Sequence, residues 1–216
     1  MISSLAVKQG VFIVLEGIDG SGTTTQLELL RQKLQARAST VVTTREPSDG
    51  VLGALIRQIL ACPEEHHTLS SWGTMALLFA ADRLHHVEST IVPVLKSGAI
   101  VLSDRYDASS LGYQSLASGL DGKDALEWVR SLNRFALRPH LTVVLDVPAE
   151  DAARRRRIRG GRPELYEQSE LQKKLAAFYR DLASILPNDR IECVDGIGSV
   201  EEVSVRVENV VMPFLE

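Results

Sequence analysis

Only two cysteines, Cys62 and Cys193, occur in this chain, far apart and without neighbours at metal-ligand spacing. That argues against a disulfide framework or a zinc motif, and both read as ordinary reduced thiols. Aromatic residues are sparse at 5%, and no apolar run approaches the roughly 20 residues that a membrane-spanning helix needs. The stretch 1–10 carries only Lys8 and a weak apolar character, with no cleavage-like site behind it. Neither secretion nor membrane insertion is expected, and the location read from this is cytoplasmic. An excess of positive charge is missing too. A formal net charge of −4 argues against a constitutive nucleic-acid coat protein, whose partner attracts clustered cations. It leaves room for a small phosphorylated ligand in a local positive cleft. Nor is there an internal repeat, a heptad array or a low-complexity tract.

What is present is enough apolar material, 44% of 216 residues, to bury a substantial core. One domain spanning 1–216 with local insertions is the expectation. Residues 11–16, V-F-I-V-L-E, form a nearly continuous apolar run closed by Gly17, as a strand covered on both faces should. Residues 41–44, 99–103, 141–147 and 190–194 read as further strands. Between them the spacing predicts helices over 26–38, 51–60, 74–95 with a bend or end near Pro93, from Ser109 onward, 124–136, 149–159, 167–185 and 200–211. Apolar strands alternating with helices specify an α/β fold, a three-layer sandwich around a mainly parallel sheet.

Gly17-Ile18-Asp19-Gly20-Ser21-Gly22-Thr23-Thr24 matches the phosphate-loop pattern at both framing glycines and at the final hydroxyl residue. It fails at the lysine, which is Thr23 here. Small residues still let backbone N–H groups converge, and the following helix aims its amino-terminal end into the loop. Gly17, Gly20, Ser21, Gly22, Thr23, Thr24 and Thr25 are therefore expected to face a bound phosphate group, with Thr24 as the hydroxyl on the Mg²⁺ side; the loop alone does not choose a kinase over a hydrolase. The lost lysine removes a mobile positive charge that must be supplied from elsewhere.

Six arginines, Arg154, Arg155, Arg156, Arg157, Arg159 and Arg162, fall within nine residues around Gly160-Gly161, and no acid lies between Ala152 and Pro163. A helix running into two glycines suits a mobile flap, here 152–164, that closes over phosphates. One or two of these arginines would supply what Thr23 does not. Consecutive arginines point to different sides of a helix, so all six cannot serve one phosphate. The competing reading is a solvated, partner-facing or nucleic-acid-facing strip.

Asp104-Arg105-Tyr106 follows the third strand, at the carboxyl end where open sheets bind ligands. Asp104 suits a Mg²⁺-bound water or an arginine partner, and Arg105 suits a phosphate; a strand-end salt bridge is the alternative. Phe79 and Arg83, four apart, share a helical face, where a ring beside a planar donor fits a flat base. A phenylalanine on an apolar helical stripe, as Phe79 is, more often belongs to the core. His85 and His86 lack a metal-like constellation and read as surface or packing residues.

The chain resembles the thymidylate kinase (dTMP kinase) family, among the nucleoside monophosphate kinases of the P-loop NTPase superfamily. The resemblance rests on F-I-V-L-E-G-I-D-G-S-G-T-T-T-Q at 12–26, T-R-E-P at 44–47, L-L-F-A-A-D-R at 77–83 and D-R-Y-D-A-S-S-L-G-Y-Q at 104–114. It implies phosphoryl transfer from ATP to dTMP with Mg²⁺, and a homodimer. It also implies that Asp19 stands beside the transferred group and the deoxyribose, while Arg45 and Arg105 hold the acceptor phosphate. Phe79 would stack on thymine, Arg83 would bond a pyrimidine carbonyl, Ser110 and Gln114 would line the base pocket, and Tyr113 would pack on the sugar. Asp104 would act near the metal. Some family members carry an arginine after the loop aspartate and others use lid arginines; with Gly20 in the former position, the chain resembles the lid type, with Arg155 and Arg159 as the catalytic candidates. Three departures stand out: Thr23 for the loop lysine, Glu164-Leu165 for the acidic-arginine pair after the lid although Glu167 retains the later acid, and Gly112 for a common alanine. The rival readings are a kinase of another pyrimidine monophosphate, a nucleotide-binding regulatory module that lost turnover with its lysine, and a polynucleotide binder using the arginine strip.

Overall fold

In the computed structural model, which describes residues 10–37, 40–66, 68–120, 122–160, 165–166 and 168–215, Val11–Gly17 forms strand β1. Its side chains alternate between two covered faces, which is why its sequence looks uniformly apolar. Ile13 and Leu15 pack on one side and Phe12 and Val14 on the other. After β1 come α1 (Thr23–Ala36), β2 (Val41–Arg45), α2 (Val51–Ala61), α3 (Trp72–His86), a π-helical turn (Val87–Ile91), α4 (Val92–Lys96) and β3 (Ile100–Asp104). Then follow α5 (Asp107–Leu116), α6 (Gly122–Leu132), β4 (Leu141–Asp146), α7 (Ala149–Arg159), α8 (Ser169–Arg180), α9 (Leu182–Ile185), β5 (Ile191–Asp195) and α10 (Val200–Leu215).

The sheet order is β2-β3-β1-β4-β5, and every neighbouring pair is parallel. The α/β three-layer expectation holds. Leu27, Leu30 and Leu34 of α1 and Val203, Val207 and Val211 of α10 cover one face. The π turn and Tyr106 cover part of the other around Phe12 and Val14, and α8 meets Val144 there through Leu175 and Tyr179. Because all five strands run the same way, the carboxyl ends of β1, β3 and β4 open side by side, where ligands of such sheets bind.

The helices differ from expectation in places with physical causes. The expected 74–95 helix is interrupted: α3 stops at His86, and the π turn precedes Pro93 of α4. Proline lacks an N–H and its ring strikes the carbonyl one turn back, so a widened turn absorbs the mismatch. The expected 167–185 helix is divided at Asp181 into α8 and α9. The helix expected from Ser109 starts at Asp107 because a carboxylate distant in sequence, Glu16, satisfies its first amides. Gly161, Arg162, Glu164 and Glu167, the outer part of the expected flap and its later acid, lie outside the described residues, as does most of the 1–10 stretch.

Leu30 is 2% exposed between α1 and the sheet. Leu30→Ala is expected to cost about 2–5 kcal/mol of stability through lost burial and the residual cavity, read from urea unfolding; a loss below about 1 kcal/mol would show that the layer repacks freely.

Candidate active site

The turn between β1 and α1 builds the first cavity. Ser21 N donates to Ile18 O at 3.0 Å, closing the loop, and Gly22 stands as the cap of α1 with φ of 100°. Gly20, with φ of 88°, has no room for a side chain: a Cβ there would lie 2.5 Å from Ala152 O of α7. That close approach lets two arginines of α7 reach the loop. Arg155 donates to Ser21 O at 3.0 Å and to Gly196 O at 2.8 Å, and Arg156 donates to Asp19 O. The cavity, about 450 Å³, is lined by Asp19 and the loop through Gln26, by Asp104 and Arg105, by Arg155, Arg156 and Arg159, and by Gly196, Gly198, Ser199, Val200 and Val203. Four guanidinium groups against two carboxylates make it a net positive cleft. Thr24 Oγ1 donates to Asp104 Oδ2, while Asp104 Oδ1 is buried without a partner among the described residues. That free oxygen beside a threonine hydroxyl fits the outer coordination of a hard cation such as Mg²⁺.

The second cavity is narrower, about 130 Å³, and lies between α3, α5 and the residues that follow β2. Phe79, Leu60 and Pro47 supply apolar wall; Arg83, Ser110, Tyr113, Gln114 and Tyr166 supply polar wall. Arg83 is 1% exposed and heavily held. It donates to Asn133 Oδ1, to Ser110 Oγ at 3.0 Å and to Tyr106 O at 3.2 Å, and Nη2 stands 2.6 Å from Glu46 Oε2. Burial works against its charge, but the Glu46 and Asp107 carboxylates hold its pKa above the usual arginine value. Glu46 is also 3.2 Å from His86 Nδ1, and His86 Nε2 is 2.6 Å from Thr44 Oγ1. Asp82 accepts from Ser48 N at 2.7 Å and Ser48 Oγ at 2.6 Å. Thus the segments around 44–48 and 77–86 lock together. Arg83 Nε, the Tyr113 and Tyr166 hydroxyls and Gln114 Oε1 are buried and lack a well-directed hydrogen bond. The Tyr113 hydroxyl faces Asp19 and Gln172, and that of Tyr166 faces Gln114; a polar wall of this kind beside an aromatic face suits a flat ligand with donors and acceptors on its edge.

The two cavities meet at one ion pair: Asp19 and Arg105 line both, and Arg105 Nη2 lies 2.6 Å from Asp19 Oδ1. Arg105 also donates to Gly17 O at 2.8 Å and Ser109 Oγ at 3.1 Å. Burial opposes its charge, while Tyr113, Asp19 and Asp104 facing it keep its pKa well above the usual range. A net positive cleft that opens through a fixed arginine into a narrower, partly aromatic slot could hold a phosphorylated ligand facing a second one. The family model described as thymidylate kinase matches residues 15–207. The chain belongs to the thymidylate kinase family. It is 43% identical over 199 residues to a probable thymidylate kinase of Pyrococcus horikoshii, covering 90% of this chain and 92% of that one. A thymidylate kinase of Syntrophotalea carbinolica is 42% identical over 206 residues, at 91% and 92% coverage, and one of Symbiobacterium thermophilum is 40% identical over 208, at 95% and 94%.

Of the residues expected from the sequence of this thymidylate kinase family member, the structure gathers Asp19, Gly20, Ser21, Gly22, Thr23, Thr24, Thr25, Asp104, Arg105, Arg155 and Arg159 at the first cavity. It gathers Phe79, Arg83, Ser110, Tyr113 and Gln114 at the second. Gly17 contributes its carbonyl to Arg105. Arg45 stands apart from both linings: at the end of β2 its 59% exposed side chain pairs with Asp49 at 2.8 Å. The arginine strip is not free of local acid, since Asp151 one turn earlier pairs with Arg154 at 2.5 Å. Arg154 and Arg157 are exposed and outside both linings.

Several residues went unread in the sequence. Arg156 was one of six alike. Gly196 to Ser199 form a glycine-containing loop directly after β5, a signal that the rule about strand ends could have used. Gln172 has no local signal; fully buried, it donates to Asp19 Oδ2 at 3.0 Å and to Tyr166 O at 2.8 Å. Glu16 looked like the last residue of an apolar strand. Its Oε1 accepts from Tyr106 N at 2.8 Å and Ser109 N at 3.2 Å, and its Oε2 from Ser109 Oγ at 2.7 Å and Tyr179 Oη at 3.0 Å.

Burial pushes the Glu16 carboxyl from 4.5 up to about 7, with Arg105 and the hydrogen bonds opposing the rise. Between those values the folded chain holds one more proton than the unfolded chain, so stability falls as pH rises through this window. The full effect is on the order of 3 kcal/mol, complete above the folded value. Glu16→Gln keeps an acceptor for the two amides and offers a donor to the two hydroxyls. The difference in unfolding free energy between wild type and Glu16→Gln is expected to change steadily from pH 4.5 to 7.5 in urea titrations. A constant difference would show that Glu16 ionises normally.

Proposed function

We propose that this chain transfers the terminal phosphoryl group of ATP to dTMP, giving ADP and dTDP. The observation that carries the reading is the Asp19–Arg105 pair shared by a positive cleft and a slot lined by Phe79 and polar side chains. The names of the relatives, thymidylate kinases at 40–43% identity, supply the acceptor.

ATP would lie in the first cavity with its phosphates on the loop amides from Gly17 through Thr25, and its other end toward the loop after β5. Arg155 and Arg156 hold loop carbonyls, so their charge stands where the absent lysine would act, and Arg159 adds a third guanidinium from the same helix. Bound with ATP, Mg²⁺ would neutralise phosphate charge, with Thr24 and Asp104 on its side of the site. In the second cavity Phe79 would stack on thymine, Arg83 and Gln114 would bond the ring edge beside Ser110, and Tyr113 would pack on the sugar. A phosphate oxygen of dTMP attacks the γ-phosphorus in line, so no covalent nucleophile is required. Arg105 aligns that phosphate and Asp19 orients Arg105. Arg45 would join the acceptor phosphate by exchanging its exposed Asp49 partner, a pairing weak enough to give up. Closing α7 and the flap at 152–164 would exclude the water that otherwise competes for ATP.

We read the molecule as one domain spanning 1–216, working as a cytoplasmic homodimer. The free thiols of Cys62 and Cys193 suit a reducing compartment. No described helix is long and apolar enough to cross a membrane.

A coupled ADP-release assay with dTMP, dUMP, UMP or no acceptor, and direct detection of dTDP, tests the reaction. dTMP is expected to be the preferred acceptor with little ADP formed in its absence; equal turnover with UMP would overturn the assignment. Arg105→Ala is expected to lower kcat/KM for dTMP by about 10- to 100-fold, the loss of one or two charge-assisted hydrogen bonds. Unchanged kinetics would remove Arg105 from the acceptor site.

A further inference from the structure

Glu16 is fully buried, lines neither cavity, and has no place in the phosphoryl transfer described above. Its contacts nevertheless fall on the two residues that flank the acceptor side. Tyr106 is the cap of α5, and Ser109 is the third residue of its first turn; Glu16 Oε1 accepts the main-chain N–H of both. A carboxylate from β1 thus does for α5 what a helix's own capping side chain does, and none of the cap residue's own side-chain atoms bonds the helix. From this helix Ser110, Tyr113 and Gln114 enter the second cavity.

The preceding residue is Arg105, the one described non-glycine residue with positive φ, at 70°. Such a conformation is strained and persists only where neighbours over-determine it. The neighbours are consecutive residues of β1: Leu15 O accepts Arg105 N at 2.9 Å, Glu16 takes the amides after it, and Gly17 O accepts its guanidinium. The link extends into the side chain as well. The Ser109 hydroxyl donates to Glu16 Oε2 and accepts from Arg105 Nη1, and the Tyr179 hydroxyl of α8 closes the group at 3.0 Å from both Ser109 Oγ and Glu16 Oε2.

We propose that Glu16 is a positioning residue for the acceptor: its carboxylate fixes the first turn of α5 and, through the Ser109 hydroxyl, the Arg105 guanidinium, to the strand that opens the phosphate loop. The inference rests on the dTMP kinase reading. Glu16 touches no reacting atom and acts through Arg105 and α5. The phosphate loop leaves β1 one residue later, so the same strand end registers donor and acceptor against each other. The raised pKa of Glu16 is compatible with this role, because either protonation state keeps Oε1 as acceptor for the two amides, and Oε2 faces hydroxyls that can donate or accept.

The test separates acceptor from donor constants. Steady-state kinetics and calorimetric binding of dTMP and ATP are measured for the wild type, Glu16→Ala, Glu16→Gln and Ser109→Ala. Glu16→Ala is expected to raise KM and Kd for dTMP about tenfold, the scale of a lost helix cap, and to lower kcat, while Kd for ATP stays within about twofold. Glu16→Gln is expected to recover most of that loss, and Ser109→Ala, which leaves the α5 amides capped, to reproduce part of it if Glu16→Ala does not fold. Unchanged dTMP constants in folded Glu16→Ala or Ser109→Ala, or a drop in active fraction with both substrates' constants unaltered, overturns the proposal. A wild type that binds and turns over no dTMP sinks the function reading instead.

Discussion

Arg105 adopts a backbone conformation that L-residues avoid, and the molecule surrounds it with the atoms that hold it there. Its amide is bonded to Leu15 O and its guanidinium reaches Gly17 O, Asp19 and Ser109. Each of these partners belongs to β1, to the loop leaving it, or to the helix that β1 caps. The left-handed geometry costs on the order of 1–2 kcal/mol, and a handful of hydrogen bonds, some charge-assisted, offset it. Parallel pairing makes this possible: Leu15 of β1 lies in register with Asp104, the last residue of β3, so the chain leaving β3 at Arg105 passes the final two residues of β1, Glu16 and Gly17. The strand order of the sheet therefore becomes a junction between two cavities.

The positive charge of the phosphate cleft is organised by the same proximity. The loop lysine is absent, and Thr23 in its place is 6% exposed, too short and too buried to replace it. Positive charge reaches the loop from α7 instead, whose backbone lies against Gly20 so closely that only hydrogen fits between them. Arg155 and Arg156 then bind loop carbonyls and keep their charge over the cleft, while Arg154 and Arg157 turn outward. The helical period decides which of consecutive arginines reaches the loop.

On the acceptor side, polar groups divide the work. Two buried groups set the shape of the wall: Glu46 with Arg83 and His86, and Asp82 with Ser48. Such networks rigidify when every member is paired. The remaining polar side chains of the wall, Tyr113, Gln114 and Tyr166, line the slot beside Arg83. Phe79 answers to both of its readings: it packs beside Ile56, Ile59 and Met75 and also forms cavity wall.

Periodicity and glycine placement were sufficient for the parallel α/β sandwich and for α7 at 149–159, because short buried strands and amphipathic helices are local patterns. Motif spacing was enough to bring the loop from Asp19 to Gln26 to one cavity and Phe79 with Arg83 to the other, since contacts four apart on a helix need no tertiary knowledge. The start of α5 and the identity of the arginines that touch the loop were decided by the tertiary structure alone. Glu16 and Ser109 are 93 residues apart, Asp19 and Gln172 are 153 apart, and Arg156 reaches Asp19 across 137. Hydrogen bonds over such separations leave no periodic trace in the chain; they exist only once the sheet has brought the strand ends together.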